Sequence, residues 1–530
     1  MKIRHVTLSV ALVACLCVVA MPGDSPPAYT LDSTQTPGMS ADDLDFLLHG
    51  SMGDEFIPWR VMRSFVAANP DLFPNGDFSA YGVVGKGLDE LPLGFSRRKV
   101  DHLGGENAIG INCMACHTGT VEIPGKAPLL VLGMPGDFNA AGWAGAMVLC
   151  TFRAGSKEGI GPFLREYFRD WFHPNGPELG PAVDAKLAEQ KEAIEKLLAA
   201  DPFGAKGVDA GMLHAIGPDD LVTGADRLGK GGDLVPLVRS LMHLFHNMRV
   251  ALHVPEPPPQ PTATVPGPGR NDAFGVLEAA FTSRKPAVSA PAKFGIPWNL
   301  AGRSWVHWDG NMNSPTARNV LAALGLGCPT DNGGKRLDFS LVKRQTELTE
   351  RLRSPKYPFA VDAEAAKRGE AAYSKNCASC HDSGDDKRLC EVKDVGTDPN
   401  RATIADPQLM GDFSKWMSSL KVEGYTFDPA GMRSTGKYWA ADLAGVWARS
   451  PYLHNASVRT MRDLLSAPAE RPKSWKRGSR VYDEAAMGFR DEGTFAFETT
   501  QSGNGNGGHA YGTTLTEAEK SDLLEYLKTR

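Results

Sequence analysis

Two five-residue segments carry the chemistry that reads most directly from this chain: Cys113-Met-Ala-Cys116-His117 and Cys377-Ala-Ser-Cys380-His381. Thiols three positions apart stand on one face of a helical turn, about 5–6 Å from each other, within reach of the two vinyl groups of one porphyrin. The adjacent imidazole then points at the iron as proximal ligand. Cys113, Cys116 and His117, and again Cys377, Cys380 and His381, are therefore read as two attachment sites for covalently bound haem c. The other uses of C-x-x-C fit less well. Zinc wants four converging N or S ligands, and a redox dithiol does not need the His in both copies.

The chain of 530 residues is 42% hydrophobic and 22% charged, an ordinary globular balance with length for two or three domains. A net charge of −5, with no stripe of Lys and Arg, argues against a nucleic-acid partner. The opening Met-Lys-Ile-Arg-His, the apolar run from Val6 to Ala20 and the Met-Pro-Gly-Asp-Ser that follows match a secretory signal over residues 1–20. That run is too short to span a bilayer comfortably, no later segment reads as a transmembrane helix, and a periplasmic or secreted protein is expected. Leu-Val-Ala-Cys15 is an alternative lipoprotein processing site, against which the chain stays apolar beyond Cys15. Of nine cysteines, Cys15 and Cys17 fall in the signal and four in the motifs. Cys150, Cys328 and Cys390 remain, an odd number that allows at most one disulfide, and are read as small core residues.

Asp362 can cap a helix that runs through Gly369 and Tyr373 to the second cysteine pair, while Thr516 and Glu519 form a capping box ahead of Leu523, Leu524 and Leu527. The pairing resembles the cytochrome c fold, whose first and last helices cross at a small residue such as Gly369. Before the first pair, residues 103–112 are too rich in glycine for a long helix, so the helix there is expected to begin at the haem itself. Residues 182–200 and 233–252 have helical spacing, and Pro255 to Gly269 must be loop. The expected fold is mainly α: two cytochrome c-type haem domains, 31–345 and 350–530, with many loops. A large, mostly helical elaboration occupies about 150–270 of the N-terminal domain.

Several blocks resemble the bacterial di-haem cytochrome c peroxidase superfamily. Trp308-Asp309-Gly310 with Asn313-Ser314-Pro315-Thr316 and Asn319 is similar to its segment between the haems, and Ser450-Pro451-Tyr452-Leu453-His454-Asn455 to its C-terminal signature. Leu91-Pro92-Leu93-Gly94, Gly267-Pro268-Gly269-Arg270 with Asp272-Ala273-Phe274, and the loop from Gly503 to His509 resemble the rubber oxygenase branch. The resemblance implies a division of labour. Iron with two protein ligands transfers electrons, and iron with an open position binds O₂ or peroxide. The C-terminal haem would take His381 and a distal side chain, and the haem on His117 would be the reactive one.

For the distal ligand, His509 is the candidate, because the Gly/Asn-rich loop before it can bend to deliver an imidazole over a haem face; the plainer alternative is a surface loop containing a His. Met432 is the rival, since peroxidase members use Met there. Trp308 is the candidate catalytic residue, as an aromatic bridge between the haems, with Trp305 in reserve; ordinary packing is the alternative use of either indole. His454 is expected to hydrogen-bond in the core, and His102, His214, His243, His246 and His307 to be surface or satisfied core groups. Three functions compete: O₂ addition across a double bond of an apolar unsaturated substrate, reduction of hydrogen peroxide with electrons from a small redox protein, and plain electron carriage. Peroxidase relatives hold a calcium ion between domains, but no loop here identifies one.

Overall fold

The computed structural model of the chain describes residues 29–530 apart from 86, 89, 101–105, 170–179, 207–233, 253–263, 282–285, 329–332 and 385–387. The signal segment with Cys15 and Cys17, and also His102 and His214, lie outside the described residues. Among the described residues the architecture is mixed α/β, with 18 helices, 41% helix and 12% strand. The expectation of a mainly α fold is corrected to that extent. Its physical reason is the strand content around the first cysteine pair, built from segments of two to six residues that carry too little alternation to announce themselves.

One antiparallel sheet has Glu106–Ile111 between Ile57–Pro58 and Phe95–Val100, with Phe95 opposite Ile111. A second has Leu129–Leu132 at its centre, antiparallel to Thr118–Val121 and parallel to Thr30–Leu31. The helical turn Cys113–Cys116 joins the two sheets, so the first motif hangs between strands that leave it little freedom. As expected, its helix begins at the motif: the Asn112 side chain accepts from the Met114 N–H at 2.8 Å. The strand entering the motif is pinned by a buried acid, since Asp54 accepts from the Ile111 N–H at 3.0 Å.

Helical spacing at 182–200 and 233–252 corresponds to helices Gly180–Glu189, Lys191–Ala200 and Val235–Ala251, the first two interrupted at Gln190. Phe65, Phe163 and Phe245 meet at ring centroids of 5.4–5.5 Å, which seats this region on helix Trp59–Ala68. These rings belong to a core drawn from residues 56–248 together with Phe294. The other, larger core takes side chains from Leu47 and Val131 through Trp298 and Val320 to Trp447 and Leu527.

Toward the C-terminus, Asp362 accepts from the N–H groups of Glu364 and Ala365, and helix Ala363–Asn376 leads into Cys377. Thr516 and Glu519 form the capping box of Glu517–Lys528. The two helices cross with Arg368 paired to Asp522 at 2.7 Å and Tyr373 against Tyr526 at 5.1 Å. At the crossing, a Cβ on Gly369 would stand 2.0 Å from the Asp522 carbonyl oxygen. Backbone cannot yield that space as a flexible side chain could, so Gly369→Ala should destabilise the protein by about 2 kcal/mol or more, read as a lower melting temperature with secondary structure retained.

Candidate functional site

Each motif histidine is aimed by a backbone carbonyl. His117 Nδ1 lies 2.8 Å from the Gly295 oxygen, and His381 Nδ1 lies 2.6 Å from the Ala441 oxygen. A carbonyl only accepts, so Nδ1 carries the proton in both rings and Nε2 keeps its lone pair for a metal. Burial, with a contribution from the Arg318 charge, pushes the His117 imidazole down to about 3, and burial also lowers His381. Both rings are therefore neutral at neutral pH, with a lone pair available on Nε2. Phe294 meets the His117 ring edge-on at 6.0 Å.

The four motif thiols are not engaged in disulfides. Cys113, Cys116, Cys377 and Cys380 are all free, and burial pushes Cys113 and Cys377 upward and Cys116 to about 12. Cys150 and Cys328 are free and buried, and Cys390 is free and half-buried. The Cys390 thiol lies in hydrogen-bonding contact with that of Cys380.

The ring of His509 faces that of His381 with centroids 6.3 Å apart and planes at 52°. Two metal–imidazole bonds of about 2 Å, with about 1.1 Å from each ring nitrogen to its ring centre, put imidazoles about 6 Å apart across a shared metal. The His509 Nδ1 is buried and finds no hydrogen-bond partner among the described residues, and its own backbone is left-handed at φ 45°. The loop is held in that shape by Arg471, whose guanidinium donates to the carbonyls of Asn506 and Gly508 at 2.8 Å, Leu464 at 3.0 Å and His509 at 3.1 Å. It also presses against the chain at Gly396: a Cβ on Gly508 would come within 2.1 Å of that residue's carbonyl carbon, so only glycine fits. Met432 pairs through its backbone with Met312 in an isolated antiparallel bridge.

Two of the other sequence blocks converge on this loop. Arg270 donates to the Asn455 carbonyl at 3.0 Å and the Asn504 side chain at 2.7 Å. Asn455 in turn donates to the carbonyls of Gly503 and Gly505. His454 accepts or donates at 3.1 Å to the Tyr438 hydroxyl and stacks on its ring at 4.3 Å.

A cavity of about 340 Å³ opens beside His117, Cys113 and Cys116 and reaches Trp308, Trp439 and Ala441, toward the second motif. Much of its wall is apolar, including Phe274, Ile296, Leu300 and Leu321. Trp308 donates from Nε1 to the Lys293 carbonyl at 3.1 Å and lies 5.7 Å from the Lys293 ammonium, while Trp305 lies under Arg433 at 3.5 Å. His307, read from sequence as a surface or core group, also faces the cavity, bonded to Asn311 at 2.6 Å. Asp309 and Arg401 form a buried two-pronged pair at 2.9 and 3.2 Å, and Arg401 stacks on Phe274 at 4.1 Å. Sequence reasoning missed Gly295 and Ala441, which act through their backbones, and Arg471 and Arg401, which belong to no recognisable spacing. Among the described residues no group of three or more His, Cys, Asp or Glu side chains is arranged to hold a bare metal ion.

Thiol pair, carbonyl-aimed imidazole and crossed helices together define a cytochrome c-type site. Residues 436–476 match a family model described as RoxA-like, cytochrome c-like. The chain therefore carries a RoxA-like cytochrome c domain, which implies covalently bound haem c and suggests a haem-dependent oxidoreductase. The matched residues include Trp439, Ala441, His454, Asn455 and Arg471. Two uncharacterized proteins of Sinorhizobium fredii are similar: y4iM, 33% identical over 36% of this chain and 48% of its own length, and y4iJ, 26% identical over 88% of this chain and 86% of its own. The chain thus spans about half the length of y4iM. Among the described residues no helix is long and apolar enough to cross a membrane.

Two consequences of the site's electrostatics can be measured. Asp309→Asn leaves the Arg401 charge buried without its partner and should cost about 3 kcal/mol in denaturant unfolding. Burial, with the neighbouring Arg401, Lys293 and Arg270 charges, pushes His454 down to about 3 from its ordinary 6.5. The folded state then binds fewer protons there than the unfolded state, so stability falls as pH drops from about 6.5 toward 3, by up to about 1.4 kcal/mol per pH unit. His454→Gln should flatten that part of the pH–stability curve.

Proposed function

We propose that the protein is an exported di-haem c-type oxidoreductase. In this reading Cys113 and Cys116 hold the first haem with His117 on its iron, and Cys377 and Cys380 hold the second between His381 and His509. The observation that carries it is the unequal surroundings of the two motif histidines. His381 faces a second imidazole at 6.3 Å, whereas His117 opens on a largely apolar cavity of about 340 Å³. Haem would supply one-electron transfer at the doubly ligated site and O₂ activation at the open one.

The chain's own residues set the rest. Gly295 and Ala441 orient the imidazoles, Arg471 holds the His509 loop, and Trp308, on the cavity wall, would serve as the aromatic bridge. The apolar wall suits an unsaturated hydrocarbon substrate, so cleavage of such a molecule by O₂, as the resemblance to rubber oxygenases implies, is the reaction we favour.

Mass spectrometry of the mature protein should show haem mass on both cysteine pairs. His509→Ala should then change the absorption spectrum of one haem from low-spin toward high-spin and leave the other unchanged. O₂ uptake with a polyisoprenoid or other unsaturated substrate is the expected activity. Turnover of peroxide with reduced cytochrome and no such uptake would replace oxygenase by peroxidase, and neither activity, with two low-spin haems, would make the protein an electron carrier.

A further inference from the structure

The cavity beside His117 is apolar over much of its wall but not neutral. Among the described residues its lining includes five cationic side chains, Lys293, Arg303, Arg318, Arg401 and Arg449, against one carboxylate, Glu350. Two aspartates behind the wall answer part of this charge: Asp309 pairs with Arg401, and Asp442 lies 2.9 Å from Arg303 and 3.8 Å from Arg449. Lys293 is held by the carbonyls of Arg449 and Pro451 at 2.5 and 2.7 Å.

Arg318 differs from these. It belongs to helix Pro315–Gly325, whose start is fixed by Ser314 accepting from the Ala317 N–H at 3.2 Å. Pro315, Arg318, Ala322 and Leu326 share the face of that segment that lines the cavity, a separate wall from the Phe294–Gly295 backbone that holds His117. Its NH1 donates at 2.9 Å to the side-chain oxygen of Asn319, a neutral acceptor. Its charge is felt by Cys113, Cys116, His117 and His307, which places the guanidinium among the groups that surround the first motif. A planar guanidinium that bonds Asn319 and the Cys113 thiol keeps further N–H donors, and beside a partly apolar cavity it is suited to an anion of carboxylate or azide size.

We infer that Arg318 is the anion-binding group of this cavity, receiving either a small free anion at the open side of the His117 haem or a carboxylate of that haem itself. The inference rests on the proposed haem at Cys113 and Cys116. In both cases one surplus positive charge is matched inside a space that water screens poorly.

The test uses the full-length holoprotein and the variants Arg318→Gln and Arg318→Lys. Azide is titrated against the oxidised protein by absorption, and the haem carboxylate bending bands are recorded by resonance Raman. For a free anion, Arg318→Gln weakens azide binding about tenfold or more and Arg318→Lys restores part of it, with the carboxylate bands unmoved. For a haem carboxylate, the bands shift in Arg318→Gln while azide affinity stays as in the wild type. A variant with wild-type azide affinity and wild-type bands overturns the inference and leaves the proposed function standing. Wild-type protein without haem mass on the peptide carrying Cys113 and Cys116 overturns the di-haem reading and this inference with it. Haem mass and melting temperature of each variant separate these outcomes from misfolding.

Discussion

Everything at the two motifs depends on a pair of hydrogen bonds from imidazole Nδ1 to a main-chain carbonyl. Without the Gly295 and Ala441 acceptors, either tautomer of His117 and His381 would be open, and the rings could turn about their side-chain torsions. With them, one nitrogen is committed and the other is left as a neutral donor to metal. Backbone is the right material for this task. It cannot change charge with pH, and its position is set by segments far from the motif in sequence, residue 295 for the first site and residue 441 for the second.

The same economy appears in the treatment of buried positive charge. Lys293 and Arg471 lie in the interior with carbonyl oxygens as their acceptors, Arg471 bonding four of them. Carbonyl dipoles solvate a cation partly and leave a positive potential behind, whereas a carboxylate would cancel it. Were a haem held at these motifs, that remaining potential would matter, since a positive surrounding favours the electron-rich form of an iron. Arg471 has a second use, because bonds from one guanidinium to the carbonyls of residues 506, 508 and 509 turn a glycine-rich loop into a defined support for an imidazole.

Local chemistry was legible in the sequence where a motif contains its own reason. The Asp362 and Thr516 caps and the short helix starting at Cys113 follow from rules acting over a few residues, whereas the glycine at the helix crossing was legible only through the resemblance to the cytochrome c fold. The strands flanking the first motif were not legible, because pieces such as Thr118–Val121 acquire strand geometry only from partners at 129–132, and a buried four-residue run looks the same in a helix. Nor could the cavity be read. Its wall is assembled from segments near 113, 273, 295, 305, 318 and 439, and His307, taken from sequence for a surface or satisfied core group, faces into it while also bonding Asn311. The blocks at 267–270, 450–455 and 503–509 stood out individually, and the bonds of Arg270 and Asn455 give the common purpose that spacing alone did not.

The larger hydrophobic core has a consequence for how such a molecule can be inherited and taken apart. Leu47, from ahead of the first cysteine pair, and Leu527, from the terminal helix, belong to one continuous apolar body together with Trp298 and Trp447. A break in the connecting chain would expose greasy surface on both fragments, so neither half is a cassette that recombination could lend to another protein unaltered. The two cysteine motifs are tied to a shared interior, and any drift in the packing around one is transmitted as a constraint on the other.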